Sequence, residues 1–396
     1  MDGQGPQGTL VQAANGELYG TTLGGGANNY GAVFRITSSG TLTTIYSFCS
    51  QSECADGETP NALVLATNGN LYGTTSGGGA SDKCFSGGCG TVFELTPAGT
   101  LTTLYHFCAQ SRACTDGEKP YAGLVQAANG DLYGTTFYGG ANGGGTVFKI
   151  TPGGTLTTLY SFCSQSECAD GSGPYVGLVQ AANGNFYGTT VVGGAYGPGT
   201  VFKITPSGTL TTLYSFCVQA GCPDGETPYA GLVQATDGNL YGTTSAGGAD
   251  GSGTIFEITP NGTLTTLYNF CAQSGCTDGG TPDAGLVQAT NGDLYGTTWS
   301  GGADNVGTVF NLSVGLAPFV KTLPTSGEVG AGVGILGSDL TGATSVTFNG
   351  PPATFTVVSR TLITATVPTG ATTGKVEVTT PSDTLSTRNV NFQVLP

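Results

Sequence analysis

Cysteine is the most chemically pointed residue type in this chain, and all twelve copies come in close pairs: Cys49 and Cys54, Cys84 and Cys89, Cys108 and Cys114, Cys163 and Cys168, Cys217 and Cys222, Cys271 and Cys276. Zinc sites favour CxxC spacing or histidine ligands, whereas these partners stand five or six positions apart and the chain has a single histidine, His106. The pattern therefore predicts six local disulfides rather than metal ligands or free thiols. Each closes so short a loop that chain entropy credits it with only about 2 kcal/mol, so the expected work is to rigidify loops. Such density also predicts an oxidising compartment outside the cytosol.

Carboxylates recur just as regularly. DGxxP segments place Asp2, Asp56, Asp116, Asp170, Asp224 and Asp278 at equivalent positions. Clustered oxygens suit Ca²⁺, so one reading is a carboxylate ring around a cation. In the other, each Asp before Gly ties its own turn through its side chain, and repetition in every unit favours this local role. Asp56 with Glu58, Asp116 with Glu118, and Asp224 with Glu226 are the pairs a two-carboxylate glycosidase would draw on; solvated loop carboxylates are the favoured reading of the Glu members. Nucleophilic catalysis lacks a base, because His106 takes the serine place of a TLYSF strand, an outermost position expected far from the loops. The Gly-rich stretches around Gly24 and Gly143 lack the Lys and helix of a phosphate-binding loop.

Aromatic side chains that depart from the repeat are the better binding candidates. Tyr121, Tyr175 and Tyr229 follow the proline of DGxxP, and Tyr30, Tyr138, Tyr196 and Trp299 vary within the GGA loops. Such rings stack on apolar sugar faces, which makes carbohydrate the expected ligand class; packing of the same residues between blades is the alternative reading. The second unit's loop, Ser81 to Gly90, is six residues longer than its counterparts and carries the extra cysteine pair, an expected asymmetric contact.

Positioning these groups falls to a repeat. YGTT begins at Tyr19, Tyr72, Tyr133, Tyr187, Tyr241 and Tyr295, at spacings of 53, 61, 54, 54 and 54. One unit reads GLVQA, an Asn-Gly turn, NFYGTT, a GGA loop, GTVFKIT, a TPSG turn, TLTTLYSF, and the cysteine loop with DGxxP. That is four short strands, with Asn-Gly or Asp-Gly (Asn15, Asn68, Asn129, Asn183, Asp237, Asn291) predicting type I′ hairpins. Such sheets bury both faces by packing on copies of themselves, and radial closure leaves short edges. The expectation is an all-β chain: a six-bladed β-propeller over residues 1–316, with the decorated loops on one face.

One blade is expected to be incomplete, because the TLTTLYSF strand type occurs five times while the others occur six. The chain opens inside a DGxxP loop, so an upstream strand and cysteine pair are expected to complete the sixth blade; Phe319 to Leu323 is the alternative filler.

Solubility cannot rest on charge, since only 9% of residues are charged against roughly 25% in ordinary domains. With 70 Gly and 19 Pro in 396 residues, long helices are disfavoured. The formal charge of −15 belongs wholly to the region before Pro318, beyond which four basic residues balance four acidic ones. Nucleic acid and anionic membranes demand Lys and Arg, so neither partner is expected. No run of about 18 apolar residues exists to span a membrane, and the opening MDGQGPQGTL has no signal-peptide pattern.

Residues 317–396 form a second segment that resembles the IPT/TIG immunoglobulin-like domain through PTSG at Pro324 to Gly327, GSDL at Gly337 to Leu340, VTFNG at Val346 to Gly350 and the Val367-Pro368 pair. The resemblance implies an Ig-like β-sandwich of about seven strands, serving as a spacer or auxiliary module. The repeats resemble the bacterial choice-of-anchor tandem repeat GloVer-containing family, through GLVQA, NGxLYGTT, GGA and GTVFxIT as in Gly285 to Phe310. That resemblance implies secretion and display by variable C-terminal anchors, and no defined activity; this chain ends at Pro396 without a sorting tail.

Together these readings predict an extracellular or cell-surface binding or display protein without catalysis, contacting polysaccharide or other cell-wall polymer through the disulfide-bearing loop face. A carbohydrate-active hydrolase or lyase and a structural subunit of a surface layer or fibre are the alternatives, the last through self-association at an open blade edge.

Overall fold

A computed structural model describes residues 3–13, 15–81, 84, 87–110, 113–388 and 390–395. Four antiparallel strands in sequence order make the first repeat: β1 (Gly3–Gln12), β2 (Leu18–Gly25), β3 (Ala32–Ile36) and β4 (Leu42–Ser47). The same order recurs around the second strands Leu71–Gly77, Leu132–Thr136, Phe186–Thr190 and Leu240–Thr244. In the second repeat the first strand is split into Glu58–Pro60 and Val64–Leu65, both paired with Leu71–Gly77. The sixth sheet has three described strands, Val287–Gln288, Leu294–Thr297 and Val309–Leu312. This is the blade pattern of a six-bladed β-propeller whose last blade has no outer strand among the described residues, matching the strand count of the sequence. Phe319 to Leu323 does not supply it. Lys321–Leu323 pairs instead with Gly332–Leu336 in the Ig-like module, where Val320 joins the buried core.

The first hairpin turns differ from the type I′ expectation. Only the glycine takes positive φ, as at Gly69 (82°) and Gly184 (80°), while the preceding Asn does not. The Asn side chain explains this, since Asn68 Oδ1 accepts the Asn70 N–H (3.1 Å) and Asn183 Oδ1 the Asn185 N–H (3.0 Å). An Asx-type bond holds Asn on the right-handed side, and a single left-handed glycine completes a three-residue loop.

The outer strand of each complete blade carries a bulge. Val147 faces Tyr160 but Phe148 faces Thr158, so Leu159 has no cross-strand counterpart, and the same slip occurs at Ile45, Leu104, Leu213 and Leu267. A bulge re-aims the side chains beyond it; here it sends Tyr160 and Phe162, whose rings touch at 5.3 Å, to two different tasks.

The chain divides into two compact units. The first comprises Met1–Leu232, Gly242–Gly285 and Thr298–Thr308. Within it, the phenylalanine after each of the first four outer strands packs edge-on against the third-strand phenylalanine of the next repeat: Phe48 on Phe93 (5.1 Å), Phe107 on Phe148 (5.2 Å), Phe162 on Phe202 (5.1 Å) and Phe216 on Phe256 (5.3 Å). All eight rings are buried, so this contact is the apolar joint between neighbours.

The second unit comprises Val233–Tyr241, Leu286–Thr297 and Val309–Pro396. Its Ig-like part has a sheet ordered Lys321–Leu323, Gly332–Leu336, Leu362–Thr366, Phe355–Ser359 and another ordered Ser345–Phe348, Val376–Thr379, Thr384–Ser386. Alternating residues such as Val333, Ile335, Val346, Phe348, Ile363 and Val378 point inward to one core, as a two-sheet sandwich requires. Phe319 N–H donates to Thr290 O (3.0 Å) and the Lys321 ammonium to Gln288 O (3.1 Å), joining this part to the strands that share its unit. Among the described residues no helix is long and apolar enough to cross a membrane.

Candidate functional site

All twelve cysteines are disulfide-bonded in the neighbouring pairs their spacing predicts. In the five pairs that recur with the repeat, both cysteines hold left-handed backbone, for example Cys163 (φ 62°) and Cys168 (φ 54°), a conformation an L-residue adopts only under constraint.

The DGxxP aspartates sit inside these loops as acceptors. Asp170 Oδ2 takes the Tyr160 hydroxyl (2.8 Å), the Ser164 N–H (3.0 Å) and the Ser164 hydroxyl (2.9 Å), while Oδ1 takes the Gln165 N–H (3.1 Å). The tyrosine bond repeats at Tyr46 to Asp56 (2.7 Å), Tyr105 to Asp116 (2.8 Å), Tyr214 to Asp224 (2.9 Å) and Tyr268 to Asp278 (2.8 Å). Burial alone raises the Asp170 carboxyl, but these bonds hold it below the ordinary aspartate value; burial pushes Tyr46 up to about 12. Each carboxylate is thus engaged within its own repeat, and none belongs to either cluster of metal-ligating side chains found among the described residues. The Oδ2 atoms are committed to hydroxyl and amide protons, as a local turn-tying role requires, while Oδ1 of Asp116 and of Asp224 is buried without a hydrogen-bond partner among the described residues. Asp2 lies outside the described residues.

The GGA loops are bonded to the cysteine loops. Gly79 N–H donates to Cys54 O, Gly140 to Cys114 O, Gly194 to Cys168 O, Gly248 to Cys222 O and Gly302 to Cys276 O, at 2.8–2.9 Å. His106 belongs here too, contrary to the expectation that it lies far from the loops. Its Nδ1 accepts the Ala80 N–H at 3.1 Å, the task done elsewhere by Ser47, Ser161, Ser215 and Asn269. Burial lowers its pKa, favouring the neutral ring this bond needs.

The aromatic residues expected to bind fall into two groups. Tyr121, Tyr175 and Tyr229, from three consecutive repeats, form a continuous row with ring centroids 5.4 and 5.3 Å apart. Tyr138 joins it through Phe137, whose ring lies 4.5 Å from Tyr138, 5.5 Å from Tyr121 and 5.8 Å from Tyr175. Tyr138, Tyr175 and Tyr229 keep 48%, 39% and 37% of their surface in solvent. Tyr30, Tyr196 and Trp299 are exposed, but among the described residues none makes a ring contact with the row. Phe137 was missed by sequence reasoning; the signal lay in its alignment with Leu23, Ser76, Val191, Ser245 and Trp299, the residues after YGTT.

Threonine hydroxyls of one repeat hold the backbone of the next beside the row. Thr74 Oγ1 donates to Ala122 O (2.7 Å), Thr135 to Val176 O (3.3 Å) and Thr189 to Ala230 O (3.5 Å), pinning the residue that follows each tyrosine. Pro174, just before Tyr175, rests on Gly145, where a Cβ would stand 2.8 Å from the Pro174 ring and 2.3 Å from Thr136 O. In the flanking repeats the tyrosine position holds Asn61, which donates to Pro120 O (2.7 Å), and Asp283, whose carboxyl is raised by burial.

Beside the row, Lys119 faces Glu58 and Glu118 electrostatically; burial raises both carboxyls and lowers the amine. Glu118 Oε2 lies 2.7 Å from Cys84 Sγ. The sulfurs of Cys84, Cys89, Cys108 and Cys114 all lie within 4.8 Å of one another, so the enlarged loop's Cys84–Cys89 bridge lies beside the Cys108–Cys114 bridge of the recurring cysteine loop. Residues 82, 83, 85 and 86 of that loop lie outside the described ones.

Repeated sheets joined by phenylalanines, capped by cystine loops and followed by an Ig-like sandwich define a disulfide-laced propeller protein. The chain belongs to the Gloeobacter/Verrucomicrobia repeat family, whose model matches residues 1–168 and 164–322, and an IPT/TIG domain matches residues 319–394. No curated protein matches it. Among solved structures it is similar to a gluconolactonase from Xanthomonas campestris (15% identity, 74% of this chain and 81% of that one, TM-score 0.41). It is also similar to a glucose dehydrogenase-type oxidoreductase from Thermus thermophilus (16%, 78% and 97%, 0.44) and an auxiliary nutrient binding protein from Bacteroides ovatus (13%, 77% and 69%, 0.44).

Proposed function

We propose that this is an extracellular, non-catalytic binding protein that holds carbohydrate or cell-wall polymer on the tyrosine row of its loop face. The observation that carries the reading is the alignment of Tyr121, Tyr175 and Tyr229 on successive repeats, with Phe137 and Tyr138 beside them. Part-exposed rings that already pack on one another, on backbone held by threonine hydroxyls of the preceding repeat, lose little entropy when a sugar face stacks on them. Six disulfides suit an oxidising compartment, and a net charge of −15 suits a neutral polymer better than an anionic one.

Affinity electrophoresis through gels containing neutral polysaccharides tests this. The wild-type chain is expected to be retarded and the Tyr175→Ala variant to run freely, with thermal stability measured alongside to show that both are folded. Equal mobility of the two chains in every gel would refute the reading. A hydrolase is the second reading because burial raises the Glu58 and Glu118 carboxyls, against the lowering influence of Lys119 beside them, the direction an acid catalyst needs. New reducing ends that disappear in Glu118→Gln would favour it.

A further inference from the structure

The sixth sheet ends on a strand, Val309–Leu312, whose outer edge has no described partner strand, while five other copies of that strand in this chain do have one. Their pairing has one grammar: the terminal Ile or Leu faces the first Leu of the outer strand, the Phe faces a Thr, and the Val or Ile faces the Tyr, as in Ile204 with Leu210, Phe202 with Thr212 and Val201 with Tyr214. Register with the second strand makes Val309 the counterpart of Val201 and Leu312 that of Ile204. Val201 is wholly buried; Val309 is 79% exposed. Val33, Val92, Val147 and Ile255, each beneath an outer strand, are buried as well. Nothing on the strand repels a visitor, since its four residues, Val-Phe-Asn-Leu, are uncharged, like the outer-strand pattern itself.

The first unit gives independent support for what an outer strand covers. Phe93, Phe148, Phe202 and Phe256 are capped by the phenylalanine following the preceding outer strand and are wholly buried. Phe34, in the first repeat, has no such capping ring among the described residues and is only half-buried, with a cavity of about 190 Å³ beside it lined by Pro6, Ala32 and Leu42.

We propose that the edge of Val309–Leu312 is an acceptor for an extended segment carrying the repeat's own outer-strand pattern, L-T-T-L-Y-S-F, which pairs antiparallel with its first leucine opposite Leu312 and its tyrosine over Val309. Main-chain bonds supply the affinity of such strand addition, and the Tyr and Leu positions its specificity. The pairing repeats the register of the five outer-strand pairings already present in the chain.

A synthetic peptide with the sequence of Thr209 to Phe216, fluorescently labelled and titrated into the full chain, tests this by anisotropy. Saturable binding is expected, together with slower amide exchange at Val309 to Leu312. Val309→Lys should weaken binding about tenfold, as should Ala at the peptide position matching Tyr214, because each removes the buried Tyr–Val contact. Val309 is exposed, so the lysine variant should melt with the wild type and its result is not a folding artefact. No saturable binding, or binding indifferent to both substitutions, would overturn the proposal. Polysaccharide retention plays no part in this readout, so either idea can fail alone.

Discussion

His106 Nδ1 accepts the main-chain N–H of Ala80 at 3.1 Å, and this bond exists only while Nδ1 is unprotonated. Burial lowers the His106 pKa, so the unfolded chain takes up the proton first. Stability should therefore fall as pH drops through about 6.5, the unfolded histidine value. His106→Ser, which restores the residue of the sister strands, should remove that component. Denaturant midpoints at pH 7.5 and 5.5 check it: the wild-type difference should exceed that of the variant. Glu58 and Glu118 titrate with opposite sign but equally in both chains, so they cancel from the comparison.

Tyr160→Phe should destabilise by about 1–3 kcal/mol, because it strips one donor from a buried carboxylate. The folded pKa of Asp170 is depressed, so its contribution is present above about pH 3.8 and is lost as pH falls through the folded value. Urea unfolding at pH 7 and pH 3 should show the penalty at the first and a smaller one at the second.

Adding EDTA should leave the melting temperature unchanged, since Asp56, Asp116, Asp170, Asp224 and Asp278 accept tyrosine hydroxyls rather than awaiting a cation. A calcium-dependent rise in differential scanning calorimetry would contradict this.

Replacing Cys163 and Cys168 together separates covalent from conformational effects. The Ala pair loses about 2 kcal/mol of loop-closure stabilisation and must also hold two left-handed residues. The Gly pair meets no Cβ penalty, and should be the more stable by about 1 kcal/mol or more. Guanidinium unfolding of both variants measures the difference.

Gly145→Ala should destabilise by more than about 2 kcal/mol, an outcome of left-handed backbone (φ 90°) and a Cβ driven into Thr136 O and Pro174, which together exceed the ordinary cost of a glycine change. Because Pro174 carries Tyr175, polysaccharide retention should also fall, whereas Gly184→Ala, with open space around its Cβ, should leave retention intact. Retardation gels at 10 °C, with circular dichroism recorded at the same temperature to show that both variants are folded, make the comparison.

Sheets, blade count, the missing outer strand and cystine pairing were legible because they are written in spacing: periods near 54, turn glycines, paired cysteines. What escaped depended on a third dimension. No alternation pattern announces that Leu159 bulges, so the reach of Tyr160 to Asp170 could not be read from the strand. His106 looked remote because its strand is outermost, yet a loop folds back to meet it. The platform was half visible: the DGxxP tyrosines are conspicuous, but Phe137, which ties Tyr138 to them, looks like one more variable residue. Turn type failed for a local reason, since an Asx bond competes with left-handed Asn and spacing records only the pair of letters.

Phenylalanines that cross from one sheet to the next have a consequence for how such a gene can grow or shrink. Because Phe162 belongs covalently to one period but is buried by another, the interchangeable segment is out of phase with the visible sheet. Excising one whole period from the middle would join ends that recognise each other, whereas trimming at a sheet boundary would strip a neighbour of its ring.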